Sequence, residues 1–139
     1  MLAPQTARTP HSDAERCRVL LVEDDAGVRR SMHLMLHGSG YEVRSYSAAG
    51  PLLSDPDIHA ARCLIADYRL PDGDGLGIRR ALARLGWQGR SILITAFPSL
   101  TLREAAHACG YDVVLEKPVR QHELIAAMQG AAPAPGNAA

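Results

Sequence analysis

Five short apolar runs punctuate this chain, and helical patterns fill the intervals between them. The runs at roughly 18–23, 41–46, 62–67, 91–95 and 112–115 read as strands. The first helix begins after Asp25, an N-cap residue, and continues to about Leu36. Val28, Met32, Met35 and Leu36 give it one apolar stripe, with Arg30, His33 and His37 on another, solvent-facing side. Gly38 or Gly40 stops it. Ser47 stands as the cap of a short second helix whose first turn takes Gly50 and Pro51. The third helix spans about 75–85, with Ile78, Ala81, Leu82 and Leu85 inward and Arg79, Arg80 and Arg84 outward. The fourth, about 99–109, carries Leu102, Ala105, Ala106 and Cys109 on one side and ends at Gly110. The fifth, about 120–129, buries Leu124, Ile125 and Met128.

Regular alternation of strands and helices predicts an α/β fold: a doubly wound, five-stranded parallel sheet with helices on both faces. The natural strand order is 2-1-3-4-5, the flavodoxin-like arrangement, which sets the first strand beside the third. The chain of 139 residues suffices for one domain with a real core. We place that domain at 17–130, with a mobile N-terminal tail at 1–16 and an Ala/Pro-rich tail or linker start at 131–139.

Charge adds little at first sight, because 15 basic and 15 acidic residues balance. No broad basic field is present, so direct nucleic-acid binding by this segment is not expected. Three scattered cysteines, Cys17, Cys63 and Cys109, lack both disulfide-framework and zinc spacing; Cys63 and Cys109 read as small core residues. No apolar run is long enough to span a bilayer and the N-terminus lacks a signal-peptide core, so a cytoplasmic, membrane-free setting is expected.

The chemistry lies at the strand ends. The first strand runs into Glu23, Asp24 and Asp25; the third delivers Asp67; the fourth ends at Thr95; Lys117 follows the fifth. In an open α/β sheet this carboxyl edge is where ligands bind. Carboxylates gathered there repel one another unless a cation is present, and an oxygen-only set suits Mg²⁺. Asp67, alone at its strand end before an accessible loop, can attack phosphorus and form an acyl phosphate. Lys117 can pair with a phosphoryl oxygen and Thr95 can donate to another. Taken singly, each residue is ordinary: Glu23–Asp25 a capped turn, Thr95 a strand end, Lys117 a surface charge. Their company makes the functional reading. Asp25 serves mainly as a cap, Asp72 and Asp74 as turn residues, and His33 and His37, four apart but without a third ligand, as exposed side chains.

The ordered set LLVEDD, IADYRLPDGDG, ITA and EKP resembles the receiver domain of bacterial two-component response regulators over about residues 17–130. The resemblance implies that Glu23 and Asp24 hold Mg²⁺ (or Mn²⁺) together with Asp67 and the backbone carbonyl of Arg69. It implies Asp67 as phosphoacceptor, Thr95 and Lys117 as phosphoryl contacts, and a cis peptide before Pro118. It implies a partner histidine kinase or phosphotransfer protein, a cytoplasmic signalling role, and a conformational or association switch, with no dedicated turnover activity beyond the domain's own phosphorylation and slow dephosphorylation. Leu100, Leu102, Arg103 and Val119 would mark its surface of helix 4, strand 5 and helix 5, through which a homodimer could form. Phe97, two residues beyond Thr95, would screen attacking water. One departure stands out: Val114 occupies the switch position where receivers commonly carry Tyr or Phe, and Tyr111 nearby is not an obvious substitute. The read-out must therefore differ in detail. Val114 also motivates the alternative, a pseudo-receiver-like protein-binding module that signals without phosphorylation.

Overall fold

The computed structural model describes residues 17–130, and the tail readings for 1–16 and 131–139 lie outside the described residues. Strands β1 (Arg18–Val22), β2 (Glu42–Tyr46), β3 (Cys63–Asp67), β4 (Arg90–Thr95) and β5 (Val113–Glu116) form one parallel sheet in the order β2-β1-β3-β4-β5. Helices α1 (Ala26–Gly38), α2 (Ala49–Leu53), α3 (Gly75–Arg84), α4 (Leu100–Cys109) and α5 (Gln121–Met128) connect and cover them. A 3₁₀ turn at Ile58–Ala60 precedes β3, and a small antiparallel ribbon, Arg69–Leu70 with Gly73–Asp74, follows it. The fold is the doubly wound one that the alternation predicts.

Successive strand residues point to opposite faces, and both faces are covered. Leu20, Val22, Leu64, Ala66 and Leu93 pack with Leu52, Leu76, Ile78, Leu82, Trp87 and Ala106 on the side of α2, α3 and α4. Val19, Leu21, Cys63, Ile65, Ile92 and Ile94 pack with Met32, Leu36, Leu124, Ala127 and Met128 on the side of α1 and α5. This explains why the strands read as unbroken apolar runs rather than alternating ones. Each fully buried Leu or Ile contributes about 2 kcal/mol relative to exposure. Cys63 belongs to this core, and burial pushes its thiol up to about 12. Among the described residues no helix is long and apolar enough to cross a membrane.

Several sequence expectations give way to longer-range contacts. Arg79 does not face outward: it is buried, its guanidinium lies 5.4 Å from the Trp87 ring centroid, and it fills the space over Gly110. The aromatic face takes the cation that a solvated helix surface would otherwise hold. Leu85 is not inward but 48% exposed, because α3 ends at Arg84 and the chain turns through Gly86 at φ 86°. Trp87 fills the core instead, its Nε1 donating to the Ala61 carbonyl at 3.0 Å. Val28 is 39% exposed; it projects from the first turn of α1 and lines a groove of about 380 Å³ with Met32, Ile94, Pro118 and Val119. His33 is half-buried rather than solvated, with Nδ1 2.6 Å from Ser45 Oγ on β2, while His37 is exposed.

The capping pattern holds for α1, where Asp25 Oδ1 accepts from Val28 N at 2.9 Å, and changes for α2. Ser47 does not cap α2; Ala48 occupies the N-cap and provides no side-chain bond. The acceptor comes from the loop after β3, where Asp72 receives Ala49 N and Gly50 N, each at 2.9 Å. Asp72 is thus a cap supplied across the fold, whereas Asp74 caps its own helix, α3, by accepting from Gly77 N at 2.8 Å.

The Ala49 and Gly50 amides hold the Asp72 carboxyl below the ordinary carboxylate range. A lowered acid pKa contributes stability that is present above the unfolded value, about 3.9, and is lost as pH falls through the folded value. The Ala49 and Gly50 amide resonances are therefore expected to titrate together with that lowered value. Asp72→Ala should abolish the titration and loosen α2, as read by NMR.

Candidate functional site

Strand register brings the chemistry together. Val22 pairs with Ala66, so Glu23 and Asp67 leave adjacent strands side by side. Asp67 pairs with Ile94, the residue before Thr95, and Thr95 pairs with Glu116, the residue before Lys117. The main chain closes the same edge, with Tyr68 N donating to Ile94 O at 2.8 Å and Lys117 N to Thr95 O at 2.9 Å.

Glu23, Asp24 and Asp67 each offer a carboxylate oxygen, and these atoms lie within 4.8 Å of one another. Glu23 and Asp67 are buried and Asp24 is exposed, so the cluster opens to solvent on one side. Lys117 Nζ stands between the two buried acids, 3.0 Å from Glu23 Oε1 and 2.9 Å from Asp67 Oδ2. Glu23 Oε2 accepts from Asp25 N at 3.1 Å. Both Glu23 oxygens therefore have partners, whereas Asp67 Oδ1 has none among the described residues.

Burial raises the Glu23 pKa, overriding the Asp25 amide and Lys117 bonds that pull it down, and the Asp67 charge adds to the rise. Burial alone would lower the Lys117 pKa, but the bonds to Asp67 and Glu23 more than reverse that and leave it raised. The Glu23 rise therefore comes chiefly from burial and the Lys117 rise from its two carboxylate partners, while the three carboxylates of the cleft still outnumber its one ammonium. Both shifts make the folded cluster lose stability as pH rises through the respective raised values. An incoming divalent cation would relieve the same imbalance. The donors are hard oxygens with open solvent beside Asp24, which fits Mg²⁺ and not a thiol- or imidazole-seeking metal.

The remaining predicted residues surround this cluster. Thr95 is buried, and its Oγ1 accepts from Phe97 N at 3.2 Å. Arg69 is exposed in the ribbon that begins two residues after Asp67. The Lys117–Pro118 bond is cis. Val114 is half-buried against the α2–α4 core, and Arg103 Nη1 donates to its carbonyl at 3.3 Å. Tyr111 sits in that core, 2% exposed, its hydroxyl donating to Gly75 O at 2.6 Å.

Two contributors escape a sequence reading. Gly75 packs so close behind the site that a Cβ there would come within 2.8 Å of the Asp67 carbonyl oxygen and 2.6 Å of Leu93. Arg29, on α1, reaches back to the acidic loop and donates from Nη1 to Glu23 O at 2.8 Å and Asp24 O at 3.4 Å. A basic side chain in the opening turns of a helix, five residues beyond the acidic pair, was the available signal.

The sequence matches the response regulator receiver domain family over residues 19–129. It is 30% identical over 121 residues to Response regulator protein TmoT of Ectopseudomonas mendocina, covering 87% of this chain and 55% of that protein. It is 33% identical over 122 residues to Nodulation protein W of Bradyrhizobium diazoefficiens, covering 87% and 54% respectively. The chain spans about half the length of the curated relatives it matches. Its fold is similar to the crystal structure of a CheY-like response regulator receiver domain protein from Methanospirillum hungatei, with TM-score 0.77 and 26% identity over 83% of this chain and 92% of that one.

Removing the ammonium tests the electrostatics of the cleft. Lys117→Met leaves buried Glu23 facing Asp67 without its counter-charge and is expected to destabilise the metal-free protein by about 1–3 kcal/mol. Adding Glu23→Gln should recover most of that loss. Urea unfolding of the two single variants and the double variant measures the coupling.

Proposed function

This chain belongs to the response regulator receiver domain family, and on that premise we propose that Asp67 is its phosphoacceptor. The observation that carries the reading is the contact of Lys117 with Asp67 Oδ2 at 2.9 Å, which leaves Oδ1 without a partner among the described residues. We assign attack to Oδ1. The Asp67 Oδ1–P bond forms as the bond from phosphorus to the donor breaks, the donor being a phosphohistidine on a partner kinase or phosphotransfer protein, or a small acyl phosphate. Lys117 orients the carboxylate beforehand and then pairs with a phosphoryl oxygen. Thr95, freed from the Phe97 amide, turns its hydroxyl to another.

Glu23, Asp24, Asp67 and the Arg69 carbonyl are the groups that would hold Mg²⁺ or Mn²⁺. When bound, the metal supplies charge neutralisation for the entering phosphoryl oxygens. Glu23, whose oxygens already accept hydrogen bonds, contributes mainly charge, and Asp24 is the more accessible ligand.

The added phosphoryl charge draws on Thr95 and Lys117 and biases two conformations of the β4–α4 segment. Exposed Leu100 and Arg103 and half-buried Leu102 and Val119 offer the α4, β5 and α5 surface for a partner or a second copy. Slow self-dephosphorylation accompanies this role, with Phe97, 77% exposed, placed two residues beyond Thr95. Signalling from the cytoplasm follows from the same reading. Val114 favours a second reading, a binding module of the same fold that does not use phosphorylation; an intact Asp67–Lys117 pair weighs against it.

Incubation with Mg²⁺ and acetyl phosphate is expected to add one phosphoryl group by intact mass. Asp67→Asn or excess chelator should prevent it. No gain in mass with either a small acyl phosphate or a phosphohistidine donor would contradict the assignment, and wild-type partner binding by Asp67→Asn would favour the second reading.

A further inference from the structure

Arg29 takes up every main-chain carbonyl of the acidic loop. Its Nη1 donates to Glu23 O at 2.8 Å and, more weakly, to Asp24 O at 3.4 Å, and its backbone N donates to Asp25 O at 2.8 Å. The first two bonds belong to the side chain, whereas the third is the opening main-chain bond of α1. The next residue, Arg30, carries the same charge on the same helix but is exposed and makes no side-chain hydrogen bond among the described residues. A cation in the opening turns of a helix gains nothing from the helix dipole. Arg29 lies there half-buried, with its guanidinium folded back over the loop, so the bonds to the carbonyls are what hold it.

We infer that Arg29 is a positioning residue that sets the affinity of the acidic cleft for Mg²⁺. The inference rests on the metal reading proposed above. Glu23, Asp24 and Asp67 repel one another before a cation arrives, and that repulsion works to open the loop carrying two of them. Restraining the Glu23 and Asp24 carbonyls keeps the Asp24 carboxylate beside Asp67 without consuming any of its oxygens. The cation binds carbonyls rather than carboxylates, so it restrains the loop while leaving the ligand atoms free for metal. Partners of this kind, which orient ligands without touching the metal, typically change affinity by about ten-fold or more when removed.

Calorimetric titration with Mg²⁺ alone tests this on wild type, Arg29→Ala, Arg29→Lys and Arg30→Ala. Arg29→Ala is expected to bind about ten-fold more weakly, whereas Arg30→Ala, which removes an equal charge one residue away, should stay near wild type. Arg29→Lys keeps a donor and the charge, should fall between wild type and the Ala variant, and serves if the Ala variant does not fold. Equal or tighter binding by Arg29→Ala, or an equal loss in Arg30→Ala, would overturn the inference. Failure of wild type to bind Mg²⁺ at all would instead overturn the metal reading. Amide exchange of metal-free protein then tests the clamp itself: the Asp25 amide, bonded to Glu23 Oε2, should exchange faster in Arg29→Ala, and unchanged exchange would sink the clamp.

Discussion

One ammonium group between two buried carboxylates is the constraint on which the rest of this molecule turns. Lys117 bridges Glu23 and Asp67 at 3.0 and 2.9 Å, and without it those two buried carboxylates would face each other with no counter-charge between them. Every larger feature serves to bring these three residues together. The order β2-β1-β3-β4-β5 places β1 beside β3, and the parallel register lets Glu23 and Asp67 emerge at one level. Lys117 lies just beyond β5, its backbone N donating to Thr95 O at 2.9 Å. Gly75, with no Cβ, lets α3 begin directly against the Asp67 backbone. The cleft still has an excess of negative charge, and that residue of unfavourable energy is what makes a divalent cation and a phosphoryl group suitable guests as a pair.

The fold was legible because its signals are local. Apolar runs of five residues with helices between them leave few topologies, and helix covers on both faces account for strands that show no alternation. Asp25 and Gly110 acted as a cap and a stop through contacts within a few residues, the latter at φ 115°. The site was legible in outline because the acids, the hydroxyl and the lysine all sit at strand ends. What escaped depends on partners distant in sequence. Asp72 caps a helix more than twenty residues upstream. Arg79 is buried because Trp87 and Gly110 form a slot for it, which no helical periodicity of α3 alone reveals. His33 faces Ser45 across the α1–β2 contact, and Leu85 yields its inward place to Trp87.

Val114 and Tyr111 set the terms on which phosphorylation could be reported. Val114, already packed against the core, has no ring to move between an outer and an inner position. The aromatic group of this region is instead inside, with the Tyr111 hydroxyl bonded to Gly75 O, and Gly75 in turn abuts the Asp67 main chain. The β4–α4 segment beside it carries the exposed side chains of Phe97 and Leu100. Movement of Thr95 would therefore be felt first by that loop and by α4, not by a rotating ring on β5.

Lys117 neutralises the resting Asp67 carboxylate, and in the proposed function it goes on to neutralise the oxygens of an arriving phosphoryl group. The most direct measurement is the NMR resonance of the Lys117 side-chain ammonium as Mg²⁺ and beryllofluoride, a phosphoryl mimic, are added separately and together. A large shift is expected only when both are present, and none in Asp67→Asn. An unmoved resonance with both present, or the same shift in Asp67→Asn, would contradict this role of Lys117.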